Sequence, residues 1–210
     1  MPQSLRTVFI GFGFIVLALC VPVAAKLIWD IPPADMLRDT AAVLDGPAYA
    51  GILSTLGFLL WTAAATICLF VAAAQPYARA FWLYAATITL ILLADDWLML
   101  HENAHYIGVT EHVIYGVYAI AMAYYVVRFR QILLRAEYLL LLAAYVCFAG
   151  SLVVDALDGV VYFPGFYIVE DGFKMFGIMG WLLFHWRLGL SFMTEHTGRI
   201  AAHQKSDPHR

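Results

Sequence analysis

The sequence predicts an all-α polytopic membrane protein, built as a bundle of six transmembrane helices. Hydrophobic residues make up 63% of the 210 residues and charged residues only 13%, whereas soluble domains are about 45–50% apolar and about 25% charged. Several uninterrupted apolar runs of roughly 20 residues match the thickness of a bilayer core. The breaks between these runs carry proline, glycine or charged residues, as loops between helices do.

Six stretches of the chain have the length and apolarity of membrane spans. The first stretch has the features of a signal peptide that ends in Val-Ala-Ala, but we interpret it as the first membrane helix. Residues 33–46 have helical spacing of apolar side chains and are predicted to form a short helix on the membrane surface. Residues 1–210 are predicted to be a single membrane domain, with residues 191–210 as a polar cytoplasmic tail. The predicted spans cover residues 7–28, 48–73, 79–101, 112–129, 136–156 and 167–190.

Most lysine and arginine residues fall on one side of the predicted bundle if the spans simply alternate. Short cytoplasmic loops are enriched in these residues, so both termini are predicted to lie in the cytoplasm (N-in/C-in) of a bacterial-type inner membrane. Lys26 and Arg38 are the exceptions. The opposite, outer face is acidic, and it carries Asp30, Asp35, Asp39, Asp45, Asp95, Asp96, Glu102, Glu111, Asp155, Asp158, Glu170 and Asp171.

The composition also limits the partners. No basic stripe with interleaved aromatic residues occurs, so no nucleic acid partner is expected. The lipid bilayer is the expected environment, and a lipid or small-molecule ligand, a homo-oligomer and a larger membrane complex are the further alternatives. Cys20, Cys68 and Cys147 lie inside apolar runs without CxxC spacing, which indicates packed side chains and neither a disulfide framework nor a zinc site.

Three predicted spans carry a carboxylate at one common depth. With a helical rise of about 1.5 Å per residue, Asp95 lies about 24 Å from Arg79, and Asp171 lies about 24 Å from Arg187. Asp155 lies about 27 Å from the start of its span. All three acids therefore stop just inside the outer boundary of a hydrocarbon core about 30 Å thick. This agreement predicts a site shared by the third, fifth and sixth spans.

The stretch 93–105, "LADDWLMLHENAH", concentrates metal-binding residue types. In a continuous helix Asp95 and Glu102 lie within about 20° of each other. Glu102 and His105 have the i, i+3 spacing with which carboxylate-bridged metal proteins present two ligands on one helix face. Glu170 and Lys174 have the i, i+4 spacing of an ion pair. The pattern predicts one polar face near the outer membrane boundary.

We predict a divalent metal at this face, because mixed carboxylate and imidazole ligands suit Zn, Fe or Mn, with Ca or Mg as further options. A metal there would activate water or polarise a substrate. Asp96, His101 and Asp171 are the candidate catalytic residues, as proton carriers or partners of the ligands. The predicted metal ligands are Asp95, Glu102, His105, Asp155 and Glu170.

Simpler explanations compete with this site. Acidic residues at helix ends are often only solvated, and the aromatic residues nearby are typical of an interfacial belt. His185 and the later histidines are assigned to the cytoplasmic side and excluded from the site. Three functional hypotheses remain open: a metal-dependent membrane enzyme acting on a lipid or small molecule, a proton or cation transporter or channel that uses the same acids, and an accessory subunit of a larger membrane complex.

Overall fold

The structure is a computed structural model. It describes the backbone of residues 3–38, 40–134, 136–157 and 166–206, and the side chains of residues 12–13, 15–38, 40–134, 136–157 and 166–194. Asp39, Asp158 and every histidine after His185 therefore lie outside the described side chains. The described backbone is helical and contains no strand. The prediction of an all-α fold is confirmed.

A helix forms at each of the six predicted spans, with ends within about five residues of the predicted ones except at the last. The helices are α1 Gln3–Trp29, α2 Pro33–Leu37, α3 Thr40–Val43, α4 Ile52–Ala74, α5 Arg79–Leu98, α6 Leu100–Asn103, α7 Glu111–Leu133, α8 Tyr138–Ala156 and α9 Phe166–Ser206. Two 3₁₀ turns, Pro76–Ala78 and Ala104–Ile107, lead into α5 and away from α6.

Four of the described helical stretches are long and apolar enough to cross a membrane, by length and composition. They are Ile52–Ala74, Pro76–Leu98, Glu111–Leu133 and Tyr138–Ala156. This result is compatible with an integral membrane protein. The number of six crossings, the orientation and the kind of membrane stay predictions.

Residues 1–52 form the first of two compact units. Its long helix α1 contains Pro22 and the shorter apolar segment Ile15–Trp29. The predicted surface helix at residues 33–46 forms as two short helices, α2 and α3. Pro33 begins α2, which suits proline because the first turn of a helix has no use for its missing N–H.

Residues 53–210 form the second unit, whose core lies between α4, α5, α7, α8 and α9. Large aromatic side chains fill this core, and Trp82, Trp181 and Tyr125 are fully buried in it. Cys68 is buried among them and Cys147 is half-buried, while Cys20 in the first unit is exposed; all three are free thiols. The prediction of packed side chains agrees with Cys68 and Cys147 but not with Cys20.

Small residues allow α8 and α9 to lie side by side. A Cβ added to Gly180 would come within 3.1 Å of the Ala144 side chain, and one added to Gly177 within 2.6 Å of the Phe148 ring. Close approach through glycine and alanine is the usual way in which membrane helices gain packing contacts. The α8–α9 pair therefore depends on the missing side chains at these two glycines.

The third predicted span is interrupted near its end. Helix α5 ends at Leu98, and Met99 adopts the left-handed conformation with φ 49° and ψ 47°. The Met99 N–H donates to the Asp95 carbonyl, and α6 starts one residue later in a new direction. The predicted continuous helix over residues 79–101 was therefore wrong at its last turn. The angle inferred between Asp95 and Glu102 does not apply across this break.

Candidate functional site

Asp95 is the most buried carboxylate among the described residues, with 6% of its surface exposed. Its two oxygens bind the same residue across the break. Oδ1 accepts a hydrogen bond from the backbone N–H of His101 at 2.9 Å, and Oδ2 accepts one from the His101 ring Nδ1 at 2.8 Å. Asp95 therefore holds both the backbone and the imidazole of His101.

Met99 makes this contact geometrically possible. In an unbroken helix, residues six apart are separated by about 120° around the helix axis, since each residue turns by about 100°, and by about 9 Å along it. The left-handed turn at Met99 brings the start of α6 back over the end of α5. A left-handed residue other than glycine costs about 1–2 kcal/mol, and two hydrogen bonds involving a charged carboxylate offset that cost.

Asp96 has a different cationic partner. Its carboxylate forms an ion pair with the Lys174 ammonium of α9. The Asp96 side chain is 12% exposed and the Lys174 side chain 39% exposed. Asp96 Oδ2 also lies 3.8 Å from the position of a Cβ added to Gly57 of α4. The ion pair thus joins α5 to α9 beside α4. The pair of Lys174 with Glu170 that the i, i+4 spacing predicts stays a prediction, and the structure shows a pair of Lys174 with Asp96.

Tyr115 of α7 connects the Asp95–His101 pair to the fifth predicted span. Its hydroxyl donates to Asp155 Oδ2 of α8 at 3.1 Å. Its ring lies beside the His101 imidazole, with ring centroids 5.4 Å apart. Tyr118, one turn further along α7, also interacts with the Asp95 carboxylate. Tyrosines from α7 therefore stand between Asp95 and Asp155.

These contacts define one acid–base cluster, whose members are Asp95, Asp96, His101, Tyr115, Asp155 and Lys174. The cluster lies where α5 and α8 end and α7 and α9 begin, and we call this the acidic end of the second unit. Of the three acids predicted at one common depth, Asp95 and Asp155 belong to the cluster, and its member from the sixth predicted span is Lys174. The members of the cluster are carboxylates, an imidazole, a phenol and an ammonium group, all of which can hold or exchange a proton.

Hydrogen bonding sets the protonation of His101. The bond to Asp95 is the main cause that raises the pKa of His101 above its usual value of 6.5. Burial opposes this change, because it disfavours the charged imidazolium, and the nearby Lys174 charge opposes it as well. The carboxylate partner outweighs both, so the imidazole binds a proton more readily than a free histidine does.

Glu102 and His105 lie on the exposed side of the cluster. Glu102 Oε1 is 3.8 Å from His101 Nε2, and the Glu102 side chain is 61% exposed. His105 donates from Nδ1 to the Glu102 carbonyl oxygen at 2.8 Å, so its contact with Glu102 is to the backbone and not to the carboxylate. A surface pocket beside them is lined in part by His101, Glu102, His105 and His112.

The remaining predicted residues are not drawn into the cluster to the same extent. Asp171 is exposed at the start of α9. Glu170 is half-buried one residue earlier, and it has an interaction of its own. Thr110 immediately precedes α7, but its side chain makes no capping hydrogen bond.

The predicted five-ligand metal site is not assembled in the described residues. Among the described side chains of residues 12–13, 15–38, 40–134, 136–157 and 166–194, no three His, Cys, Asp or Glu are grouped closely enough to hold a metal ion. The carboxylates of Asp95, Asp96 and Asp155 each have a protein partner instead: His101, Lys174 and Tyr115. The metal prediction therefore has no support from the geometry.

Sequence reasoning missed a second polar group, in the middle of the core. His185 is fully buried. Its Nδ1 donates to the Trp181 carbonyl at 2.8 Å, so in the neutral ring Nε2 accepts the hydroxyl of Tyr125 at 3.0 Å. The Trp181 indole N–H donates in turn to Thr89 at 2.9 Å. An ionisable residue inside an apolar run is itself a signal of a special site, and His185 stands within such a run of α9.

A family model described as "Domain of unknown function (DUF8692)" matches residues 12–188. The chain belongs to this family. The DUF8692 match includes every member of the acid–base cluster and also the buried pair of Tyr125 and His185. No curated protein and no solved structure matches the chain. The function of the chain therefore has to be inferred from the chemistry of its site.

Proposed function

We propose that this chain is an integral membrane protein that takes up and transfers protons at its acidic end. The observation that carries the proposal is the buried Asp95 carboxylate, held by two hydrogen bonds to His101. The proposed setting is a bacterial-type inner membrane, with the acidic end on the outer side. In this setting His101 accepts the proton and Asp95 keeps it inside the cluster.

The charge balance of the cluster favours protons over metal ions or other cations. Asp96 is compensated by Lys174, and Asp95 by His101 when the imidazole is protonated. An incoming cation would have to displace these partners, and leaving a buried charge without its partner is costly. A proton needs no such displacement, because it adds to a group that is already hydrogen-bonded.

The order of the contacts supports a route from solvent into the cluster. Exposed Glu102 lies within 3.8 Å of His101 Nε2, and the opposite ring nitrogen binds Asp95. Proton transfer by side chains requires groups within hydrogen-bond reach or one water apart. Asp95 and His101 meet this requirement directly. Rotation of the exposed Glu102 side chain brings its carboxylate within reach of His101, so the three form a series from the exposed side of the acidic end to its most buried acid.

Proton flux into proteoliposomes tests the proposal. The purified protein, a pH-sensitive dye inside the vesicles and a potassium diffusion potential allow the rate of acidification to be measured. The wild type is expected to acidify the vesicles faster than protein-free vesicles do. His101→Gln is expected to lower the rate at least about 10-fold, within the usual contribution of a positioned acid–base group.

His112→Gln is the matched control, because His112 is an exposed histidine of the same surface pocket. It is expected to keep the wild-type rate. A wild type that acidifies vesicles no faster than lipid alone, at either sign of the potential, would overturn proton transfer. Elemental analysis of the same sample separates this proposal from a metal-dependent enzyme: about one bound Zn, Fe or Mn per chain, lost in Glu102→Gln, would return the site to metal chemistry.

A further inference from the structure

Gln75 is a fully buried polar residue at the opposite end of the second unit, where α4 turns into α5. Its Nε2 donates to the Phe192 carbonyl of α9 at 3.3 Å and lies 3.7 Å from the Met193 sulfur. Its Oε1 has no hydrogen-bond partner among the described residues. One half of this amide thus binds α9, and the other half presents a buried acceptor.

Trp82 presents a buried donor in the same neighbourhood. Its indole is fully buried, and its Nε1–H has no hydrogen-bond partner among the side chains and backbone that the structure describes. The ring packs against the Phe192 ring at 5.6 Å and against the His185 ring at 6.1 Å. Gln75 and Trp82 therefore contact the same residue, Gln75 through the Phe192 backbone carbonyl and Trp82 through the Phe192 ring.

Buried donors and acceptors are almost always satisfied, because an unmade hydrogen bond in a low-dielectric core is costly. A ligand that satisfies both atoms must both donate and accept. It must also be small: a Cβ added to Gly189 would come within 3.1 Å of Val71 and 3.8 Å of Trp82. Helices α4, α5 and α9 are therefore closely packed here, and water is the smallest molecule that both donates and accepts hydrogen bonds.

We propose that Gln75 and Trp82 form an internal water-binding site, in which bound water donates to Gln75 Oε1 and accepts from Trp82 Nε1. This site does not depend on the proposed function. It completes the link between the α4–α5 turn and α9 that the Gln75 amide begins. It also places water next to the Trp82 ring, which covers one side of the buried histidine His185.

Trp181 provides a matched control within the same molecule. Its indole is as fully buried as that of Trp82, but its N–H donates to Thr89 at 2.9 Å. Water-edited solid-state NMR of the full chain in lipid bilayers measures how fast polarisation passes from water to each indole proton. The Trp82 indole proton is expected to receive it several-fold faster than that of Trp181.

Gln75→Met tests the other half of the site, because methionine keeps the length of the side chain but removes the amide oxygen. The transfer from water to Trp82 is expected to fall towards the Trp181 level in this variant. Equal, slow transfer to Trp82 and Trp181 in the wild type would overturn the proposal, and so would an unchanged Trp82 signal in a folded Gln75→Met protein. The wild-type measurement decides the first outcome even where the variant does not fold.

Discussion

Asp95 and His101 meet because one residue, Met99, leaves the helical conformation. Their contact ties the turn after α5 to the acidic end, and it gives the imidazole a partner that favours its charged form. The stability of this turn is therefore linked to pH. A group whose pKa is higher in the folded state contributes its full stabilisation below the pKa of the unfolded state, and loses it as pH rises through the folded value.

The first prediction follows from this direction of the pH dependence of stability. His101→Gln is expected to lower the melting temperature most below pH 6.5, the usual histidine pKa, and progressively less as the pH rises above it. A hydrogen bond to a charged group contributes about 1.5–3 kcal/mol. Thermal melts of the wild type and variant between acidic and alkaline pH, in one detergent, measure the gap. A gap that is constant or widens with pH would contradict the prediction, and His112→Gln should show none.

The second prediction concerns Asp96 and Lys174. Asp96→Asn is expected to cost more stability in the wild type than in a Lys174→Met background, with a coupling of about 1 kcal/mol, since the pair is only partly buried. A double-mutant cycle of thermal or denaturant unfolding measures it. Glu137→Gln is the control, because Glu137 pairs with Arg187, which lies further along α9 than Lys174. The destabilisation by Glu137→Gln should add to that by Lys174→Met. An equal coupling free energy in the Asp96/Lys174 and Glu137/Lys174 cycles would show that Asp96 and Lys174 do not interact directly.

The sequence was sufficient to select Asp95, Asp96 and His101, because charged residues are rare at the end of an apolar run. It was not sufficient to pair them. The pairing depends on a left-handed turn at Met99. Methionine rarely adopts this conformation, and the sequence has no glycine or asparagine at this position that would have indicated the end of the helix. The sequence analysis assigned His185 to the cytoplasmic side and excluded it from the site. In the structure, side chains from α5, α7 and α9 surround it in the core.

Helix α9 shows what hydropathy predicts well and what it misses. Its start at Phe166 is within one residue of the predicted one, because the apolar run begins there. Its end at Ser206 lies far beyond the predicted 190, because polar residues give no hydrophobic signal of a continuing helix. Its packing against α8 depends on glycines whose role is visible only once the facing residues are known.

The third prediction tests that packing. Gly177→Ala is expected to destabilise the protein by about 1–3 kcal/mol, the usual cost of an overpacked core, because the new methyl group would meet the Phe148 ring. That ring is itself stacked on Trp61 at 5.7 Å, so it has little room to move. Gly172→Ala on the same helix is the control, since nothing lies within 4 Å of its added Cβ. Equal melting temperatures for the two variants would show that α8 and α9 do not pack closely at Gly177.

The arrangement of charge in the second unit separates two ends of the molecule. The acid–base cluster lies at one end of the helices, while Arg128, Arg130 and the Glu137–Arg187 pair lie at the other. Basic residues favour the cytoplasmic side of a membrane. The same charge separation thus supports both the predicted orientation and the proposed entry of protons from the outer side.

The last prediction tests this orientation with single cysteines, introduced into a chain whose native cysteines have been replaced. Gly108 precedes α7 at the acidic end, and Leu134 follows α7 at the basic end; both are exposed. In spheroplasts, an impermeant maleimide is expected to label Gly108→Cys at once, and Leu134→Cys only after the membrane is permeabilised. Asp35→Cys, on the predicted outer side of the first unit, should label like Gly108→Cys if α1 also crosses the membrane. The reverse labelling of Gly108→Cys and Leu134→Cys would show that the orientation is opposite to the predicted one. The acid–base cluster would then face the cytoplasm and take up its protons from there.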